Sequence, residues 1–373
     1  MKNILVVFGG KSCEHDISVI TGVLTLNSID KENYNAIAVY VTNDGVWYHG
    51  EALNDLEWYK TKNFKLLDKV SLIQGSDFLY TINKNKLKPL IQISCAINCL
   101  HGLNGEDGSL SGLLNLCDIP LASPDMFTSS FSIDKDITKI VLKGLGINYL
   151  PYLRIFKECF FSKKDFALKM IESKLSYPVI IKPARLGSSI GIKVANNIEQ
   201  LEEGLITAFS YDNKVIVEKA LTNFIEINCS VYKSFEDVHI SQLERPFKEK
   251  EILSFKDKYL ENKNLPKKEF PAKIDKKIAE QITKISEKVY RKCCFTGIIR
   301  IDFLVENNVV YLNEINTVPG SLAYYLHCKS TTEFKDLLSS LIEDAISSFK
   351  KQKALKRVYN SGILNIKGIK GKR

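Results

Sequence analysis

The chain has 373 residues, of which 45% are hydrophobic and 25% are charged, and its formal net charge is +9. This length favours two or three domains, and the composition excludes disordered, collagen-like and membrane-spanning proteins, because no run approaches the ~20 uncharged apolar residues of a membrane span. The lysines are spread along the chain, so a solvated surface explains the charge better than a nucleic-acid partner, and the nine scattered cysteines predict free thiols in a reducing compartment.

The amino terminus predicts the opening of an α/β domain. Its apolar run at 4–8 is too short for a signal peptide, so we expect a cytoplasmic protein. A buried strand, the pair Gly9-Gly10 and a helix over 16–26 follow one another, as in a Rossmann-like parallel-sheet domain. Residues 47–88 show little hydrophobic periodicity, and we expect irregular structure there. The other elements predicted for this unit are strands at 35–41, 89–100 and 119–121 and a helix at 110–116.

The rest of the chain predicts an α+β organisation without internal repeats. The highly charged segment 247–272 is predicted to be a long functional loop, since such loops are uncommon in compact domains. The elements predicted for the middle unit are helices at 132–143, 163–175 and 198–209 and strands at 152–156, 179–184, 192–195 and 214–221. The elements predicted for the last unit are strands in 225–244, a helix at 274–291, a hairpin of 297–305 with 309–316, and a helix at 333–350.

The carboxy-terminal hairpin carries a candidate metal site. Glu314 and Asn316 are two residues apart on one strand and share a face, while Asp302 and Arg300 share a face of the other strand. Converging oxygen ligands of this kind suit a hard cation such as Mg²⁺. The alternative is a half-exposed sheet face closed by salt bridges.

Two further segments indicate a phosphate or nucleotide site. A strand delivers Lys182 to the Gly- and Ser-rich loop at 184–191, whose N–H groups and hydroxyls could cradle phosphates. The loop matches neither the Walker A motif nor the dinucleotide fingerprint, and a flexible turn is the alternative. The strand at 214–221 ends in Glu218-Lys219 and could offer backbone contacts to adenine, although an ordinary strand end would look the same.

Together these features resemble the D-alanine–D-alanine ligase family of the ATP-grasp superfamily, over roughly residues 3–345. The resemblance implies an ATP-grasp fold with a substrate domain at 1–121, a central domain at 122–222 and a C-terminal domain at 223–373. It is carried by FGGKSCEHDIS (8–18), LHGLNGEDGSLSGLL (100–114), SIDKDITK (132–139), YPVIIKPARLGSSIG (177–191), VIVEKAL (215–221), GIIRIDFLV (297–305) and YLNEINTVPG (311–320).

The resemblance implies ATP and two Mg²⁺ ions, with Mn²⁺ as an alternative metal. Asp302, Glu314 and Asn316 would hold the metal. The residues implied at ATP are Lys135, Lys182, Ser189, Glu218, Lys219, Ala220, Leu221, Glu226, Lys258 and Leu304. Glu226 needs a one-residue adjustment against the family pattern. The partners implied are small amino acids, and the family is usually dimeric.

The resemblance also assigns roles in a two-step reaction that passes through D-alanyl phosphate. Glu14 would hold the first substrate's ammonium group, and His101 would lie beside it. Arg300 and the Gly320 backbone N–H would stabilise the oxyanion of the second step. Ser188, on the lid loop, would join Glu14 and Tyr259 of the mobile ω-loop in a hydrogen-bonded triad.

One segment departs from the family pattern. The chain has NTVPGSLAYYLHC where most members have a Ser-His-Ser-Leu-like stretch that binds the second substrate's carboxylate, so Ser321 or Tyr325 is predicted to take over that contact. We expect a cell-wall enzyme that joins two D-alanines for peptidoglycan synthesis. The alternatives are the same chemistry with another acceptor, as in a D-Ala–D-Ser ligase, a nucleotide-binding protein without catalysis, and a nucleic-acid binder resting on charge alone.

Overall fold

Three larger β-sheets and a two-stranded one organise the part of the molecule that its computed structural model describes, residues 1–84, 86–247 and 268–363. In that part of the chain no helix is long and apolar enough to cross a membrane. The strands are β1 Lys2–Gly9, β2 Tyr34–Val41, β3 Trp47–His49, β4 Asp68–Leu72, β5 Phe78–Asn83, β6 Lys86–Gln92, β7 Cys95–Asn98, β8 Tyr152–Phe156, β9 Val179–Pro183, β10 Lys193–Ala195, β11 Lys214–Lys219, β12 Ile225–Ser234, β13 Asp237–Ile240, β14 Arg245–Pro246, β15 Lys268–Glu269, β16 Ile298–Glu306 and β17 Val309–Asn316.

The helices confirm most of the predicted ones and lie between or beside these strands. Three 3₁₀ helices also occur in the described residues, at Glu51–Asn54, Phe64–Leu66 and Gly320–Ala323. The α-helices are α1 His15–Ser28, α2 Trp58–Thr61, α3 Ser109–Leu116, α4 Met126–Ile133, α5 Lys135–Gly144, α6 Lys157–Ser162, α7 Lys164–Lys174, α8 Ile198–Ala208, α9 Lys276–Lys292, α10 Tyr324–His327 and α11 Thr331–Lys353.

The first sheet is mixed rather than wholly parallel. Its order is β6-β5-β4-β3-β2-β1-β7, with β1 parallel to both β2 and β7 and the remaining pairs antiparallel. The prediction of irregular structure over 47–88 is therefore wrong, because β3, β4, β5 and the start of β6 lie there. These strands are short, and β6 is an exposed edge with Lys86, Lys88 and Pro89. Charged and proline residues are typical of edges that avoid further pairing, and they hide the period-two pattern.

The second and third sheets each contain four antiparallel strands. Their orders are β10-β9-β11-β8 and β13-β12-β16-β17. In the third sheet one face is apolar, with Ile227, Cys229, Ile301 and Phe303 fully buried in a core that α9 helps to cover. Since side chains alternate across a strand, the intervening residues of β12 and β16 all point to the opposite face. That face is the one that carries the candidate site.

The predicted helix over 132–143 is two helices separated at Asp134. The Asp134 carboxylate accepts the backbone N–H groups of Asp136 (3.2 Å) and Ile137 (3.3 Å), so it caps α5 and stops α4. Caps of this type satisfy donors that the first turn of a helix leaves unpaired. The cap places Lys135 as the first residue of α5. The short helix α6 was not predicted, because its six residues are too few to show a period.

Candidate active site

The polar face of the third sheet gathers the predicted metal ligands. Asp302 lies directly opposite Glu314 across the pair β16–β17, and Arg300 lies opposite Asn316. On the other side of β16, Asn228 of β12 lies opposite Asp302. Residues opposite one another in an antiparallel pair share a face, so two carboxylates and two amides meet there. The predicted hairpin geometry is therefore present in the structure.

Asp302 is the centre of this polar face. It is 3% exposed, and its two oxygens accept Arg300 Nε at 2.7 Å and Nη2 at 2.8 Å, while Asn316 Nδ2 donates at 3.0 Å. Burial raises the pKa of Asp302 to about 6, with Arg300 opposing that rise and Glu314 adding to it. A cation between two facing carboxylates would relieve their repulsion, and carboxylate and amide oxygens are the donors that Mg²⁺ prefers. The residues present thus fit a Mg²⁺ site.

Lys135 is held against the predicted lid loop. Its backbone N–H donates to Ala184 O at 2.9 Å, and its Nζ donates to Leu186 O at 2.6 Å. Ser188 and Ser189 of that loop have φ values of +51° and +58°, a left-handed backbone that side chains disfavour. The loop therefore adopts a strained conformation beside a buried ammonium group.

A second buried lysine was missed by the sequence analysis. The Glu218 carboxylate accepts Lys182 Nζ at 2.6 Å on one oxygen and lies 2.7 Å from Lys139 Nζ on the other. Burial tends to raise the pKa of Glu218, but the two ammonium groups outweigh it and lower the pKa to about 2. Lys139 is 1% exposed. It lies one helical turn after Lys135 on the same, buried face of α5. The four-residue spacing from Lys135 was the sequence signal that could have identified it.

The residues predicted at adenine and ribose lie at the junction of the second and third sheets. Lys219 ends β11, and the Ala220 N–H donates to Pro178 O at 3.0 Å. Glu226 of β12 pairs in register with Leu304 of β16, which is 7% exposed. Lys182 also donates to Asn313 Oδ1 at 3.2 Å, and this contact joins the two sheets directly.

Glu14 contacts the lid loop through Ser188, whose hydroxyl donates to Glu14 Oε1. Two glycines make room for the carboxylate. A Cβ at Gly102 would lie 2.9 Å from Glu14 Oε2, and one at Gly187 would lie 3.0 Å from it. Two members of the predicted triad are thus adjacent. Tyr259 and the neighbouring Lys258 lie outside the described residues.

His101 is linked through Thr21 to the segment after Gly320 that departs from the family pattern. Its Nε2 is 3.0 Å from the Thr21 hydroxyl, which also accepts the Ser321 N–H at 3.0 Å. Burial lowers the pKa of His101 to about 3, and Arg300 contributes to the shift, so the imidazole is neutral at physiological pH. Thr21 was not predicted, because a threonine inside a helix has no sequence signal of function.

Glu106 is a further, half-buried acid that the sequence analysis did not single out. One oxygen accepts the Val318 N–H at 3.0 Å, and the other accepts the Gly102 N–H at 3.1 Å. Burial raises its pKa to about 8, and the nearby Glu14 adds to the rise. Glu106 lines a cavity of about 30 Å³ whose other walls include Lys135, Leu186, Gly187, Glu314 and Asn316. Cavities of about 260 and 400 Å³ elsewhere contain none of the predicted site residues.

The segment that follows Gly320 has an unusual backbone. Ser321, Leu322 and Ala323 have φ values of +50°, +50° and +49° in succession. The buried side chains of Leu322 and Ala323 anchor the segment to the core. Tyr325 lies beyond it, with Lys268 Nζ 4.4 Å above its ring, and the pKa of Tyr325 is raised to about 12 by burial, against the influence of Arg300.

Comparisons with known proteins agree with this geometry. The family models described as D-ala D-ala ligase N-terminus and C-terminus match residues 3–124 and 141–343. A curated D-alanine–D-alanine ligase of Thermosipho africanus is 37% identical over 95% of this chain and 96% of its own. The solved D-alanine–D-alanine ligase of Helicobacter pylori superposes with a TM-score of 0.75 at 29% identity, covering 92% of this chain and 98% of its own. The solved VanG D-Ala:D-Ser ligase of Enterococcus faecalis superposes with a TM-score of 0.77 at 26% identity, covering 91% of this chain and 99% of its own.

Proposed function

The chain belongs to the D-alanine–D-alanine ligase family, and we propose that it joins two D-alanine molecules with ATP to form D-alanyl-D-alanine for peptidoglycan synthesis. The observation that carries the proposal is the facing pair Asp302 and Glu314, flanked by Arg300 and Asn316, in a chain of this family. The fold class agrees with the predicted ATP-grasp architecture. The domain limits at residues 121 and 222 stay a proposal.

We assign the nucleotide to the cleft between the second and third sheets. Glu218 to Leu221 and Leu304 would contact adenine, Glu226 the ribose, and Lys135, Lys182 and Ser189 the phosphates. Asp302, Glu314 and Asn316 would hold two Mg²⁺ ions, which would neutralise phosphate charge during transfer. Because Lys182 already bonds Glu218 and Asn313, its ammonium group is held in a fixed place before the phosphates arrive.

In the first step, a carboxylate oxygen of D-alanine would attack the γ-phosphorus of ATP and expel ADP. Glu14 would hold the substrate's ammonium group by charge, and the glycines at 102 and 187 leave room for its carboxylate. The lid serine Ser188 orients that carboxylate. Positioning and charge neutralisation supply most of the catalysis in such transfers.

In the second step, the amine of the acceptor would attack the acyl carbon, lose a proton and expel phosphate. Arg300 and the Gly320 N–H would stabilise the oxyanion. Arg300 is bound to Asp302 through two hydrogen bonds, so its guanidinium group is preorganised rather than mobile. Tyr259 and Lys258 are proposed to close over the reacting groups.

The altered segment favours one alternative, a ligase with D-serine as acceptor. Ser321 and Tyr325 stand where the family pattern binds the acceptor, and their hydroxyls could bond a serine side chain as readily as a carboxylate. The structural similarity to a D-Ala:D-Ser ligase leaves this candidate open. The protein is also proposed to be cytoplasmic, where ATP is made, and to act as a homodimer.

The test is product analysis with purified protein, ATP and Mg²⁺. Pairs of D-alanine with D-alanine, D-serine, D-lactate and L-alanine are incubated, and dipeptide and phosphate are measured by mass spectrometry and colorimetry. We expect D-alanyl-D-alanine, with one phosphate released per dipeptide. Formation of L-dipeptides alone, or of phosphate with no D-dipeptide, would refute the proposal. Light scattering would test the dimer.

A further inference from the structure

The backbone on either side of Gly320 donates hydrogen bonds to two side chains of the N-terminal region, which contains the first sheet. The Val318 N–H donates to Glu106 Oε1 at 3.0 Å, two residues before Gly320. The Ser321 N–H donates to the Thr21 hydroxyl at 3.0 Å, one residue after it. Gly320 thus lies between two bonds that tie its loop to a distant part of the chain.

The two fastening side chains are themselves connected. Glu106 accepts the Gly102 N–H on its second oxygen at 3.1 Å, and Thr21 contacts the ring of His101 at 3.0 Å. His101 and Gly102 are adjacent in sequence, so the four contacts close a ring. The ring joins the loop after β7, which borders Glu14, to the loop after β17.

The ring lies in a buried environment. Thr21 is fully buried, His101 is 5% exposed, and burial raises the pKa of Glu106. Leaving a buried donor or acceptor without its partner is costly, so the ring resists local displacement. It also borders the left-handed run at Ser321 to Ala323, a backbone that persists only where surrounding contacts enforce it.

We propose that Thr21 and Glu106 are positioning residues that fix the Gly320 N–H relative to the first-substrate subsite. The inference rests on the proposed function, in which that N–H stabilises the oxyanion of the second step. Loosening the ring would leave ATP binding and acyl phosphate formation nearly intact. It would slow attack by the acceptor amine, so that more acyl phosphate reacts with water and returns D-alanine and phosphate.

The first test uses three threonine variants and two product measurements. Thr21→Val keeps the shape and removes the hydroxyl, and Thr21→Ser restores it. Thr25→Val is the matched control, because Thr25 is a fully buried residue one turn further along α1 whose hydroxyl donates to the Thr21 carbonyl and accepts from the Cys99 thiol, so the Thr21 hydroxyl is left in place. Dipeptide and phosphate are measured together, since a partly unfolded sample lowers both equally and leaves their ratio at one.

For Thr21→Val we expect kcat for dipeptide to fall about 10- to 100-fold, since small displacements at a reacting centre cost that much. The ATP KM should stay within about twofold, and the ratio of phosphate to dipeptide should rise clearly above one. Thr21→Ser should recover most of the rate and a ratio near one. Thr25→Val should behave as wild type.

Glu106→Gln provides an independent second arm. Its amide keeps one acceptor oxygen and replaces the other with a donor, so one of the two backbone bonds is lost. The ratio should rise as it does for Thr21→Val. Ratios of one in both variants, with wild-type dipeptide formation, would overturn the inference while leaving the proposed function standing. Absence of dipeptide from the wild-type protein would overturn both.

Discussion

The proposed nucleotide side and the proposed acceptor side of the site are held together by different kinds of contact. On the nucleotide side, charged side chains pair with one another, as Lys182 and Lys139 both do with Glu218. On the acceptor side, backbone N–H groups are held by Thr21 and Glu106. The first side therefore depends on the charges of its residues, and the second on the path of the main chain.

The contrast is strongest for Glu314, whose replacement should have the largest effect. Glu314→Gln keeps the size of the side chain and removes the charge that faces Asp302. We expect phosphate release with D-alanine to fall at least about 1,000-fold, because metal ions supply several kcal/mol of charge stabilisation in phosphoryl transfer. Glu287→Gln, a surface change on α9, should have no effect. Phosphate release near the wild-type rate would show that Glu314 is not a metal ligand.

Lys139 tests whether the nucleotide side also depends on its buried charges for stability. Lys139→Met leaves Glu218 buried with Lys182 as its remaining ammonium partner, so the loss of stability should stay below the about 3–5 kcal/mol of leaving a buried charge uncompensated. Urea unfolding would measure the loss. Lys2→Met, which breaks the exposed pair with Glu343, should cost about 0–1 kcal/mol. Adding Glu218→Gln to Lys139→Met leaves the buried Lys182 without its carboxylate, so it should cost about 3–5 kcal/mol more, and a double variant as stable as Lys139→Met would contradict the charge argument.

The same contrast explains how much the sequence predicted. The polar face of the third sheet was predictable because Asp302, Glu314 and Asn316 are chemically distinctive residues in apolar strands, with Glu314 and Asn316 at period-two spacing. The parallel core β2-β1-β7 was predictable from its apolar runs. Thr21 and Glu106 were not singled out, because their function comes from backbone partners that lie 300 and 212 residues away in sequence. Nothing in a residue type specifies such a partner.

His101 sharpens the comparison, because its neutral ring contrasts with the ionised groups on the nucleotide side. Its pKa is about 3 in the folded protein and about 6.5 when unfolded. Below pH 6.5 the unfolded state therefore binds a proton that the folded state does not, and stability falls by up to about 1.4 kcal/mol per pH unit. His101→Gln should reduce the slope between pH 5.5 and 4.5 by about that amount, measured by urea unfolding. An unchanged slope would mean that the ring is charged in the folded state.

The most localised expected effect concerns binding of the acceptor's carboxylate. Ser321 and Tyr325 are the hydroxyl-bearing residues of the altered segment that we predict to bind it, and each hydrogen bond to a charged group contributes about 1.5–3 kcal/mol. Of Tyr325→Phe and Ser321→Ala, the variant that removes the bonding hydroxyl should therefore raise the acceptor KM about 10-fold or more and leave the ATP KM unchanged.

The two variants also distinguish the candidate contacts, because only one hydroxyl is expected to carry the bond. The Ser321 N–H is fixed by Thr21, which limits where its side chain can point, whereas Tyr325 lies beneath Lys268. Lys268→Met serves as a third variant that removes a positive charge 4.4 Å from the Tyr325 ring. We expect Tyr325→Phe to raise the KM more than Ser321→Ala, and Lys268→Met to do so moderately. If all three variants keep the wild-type KM for D-alanine and D-serine, the carboxylate is bound elsewhere, and the altered segment acts only through its backbone.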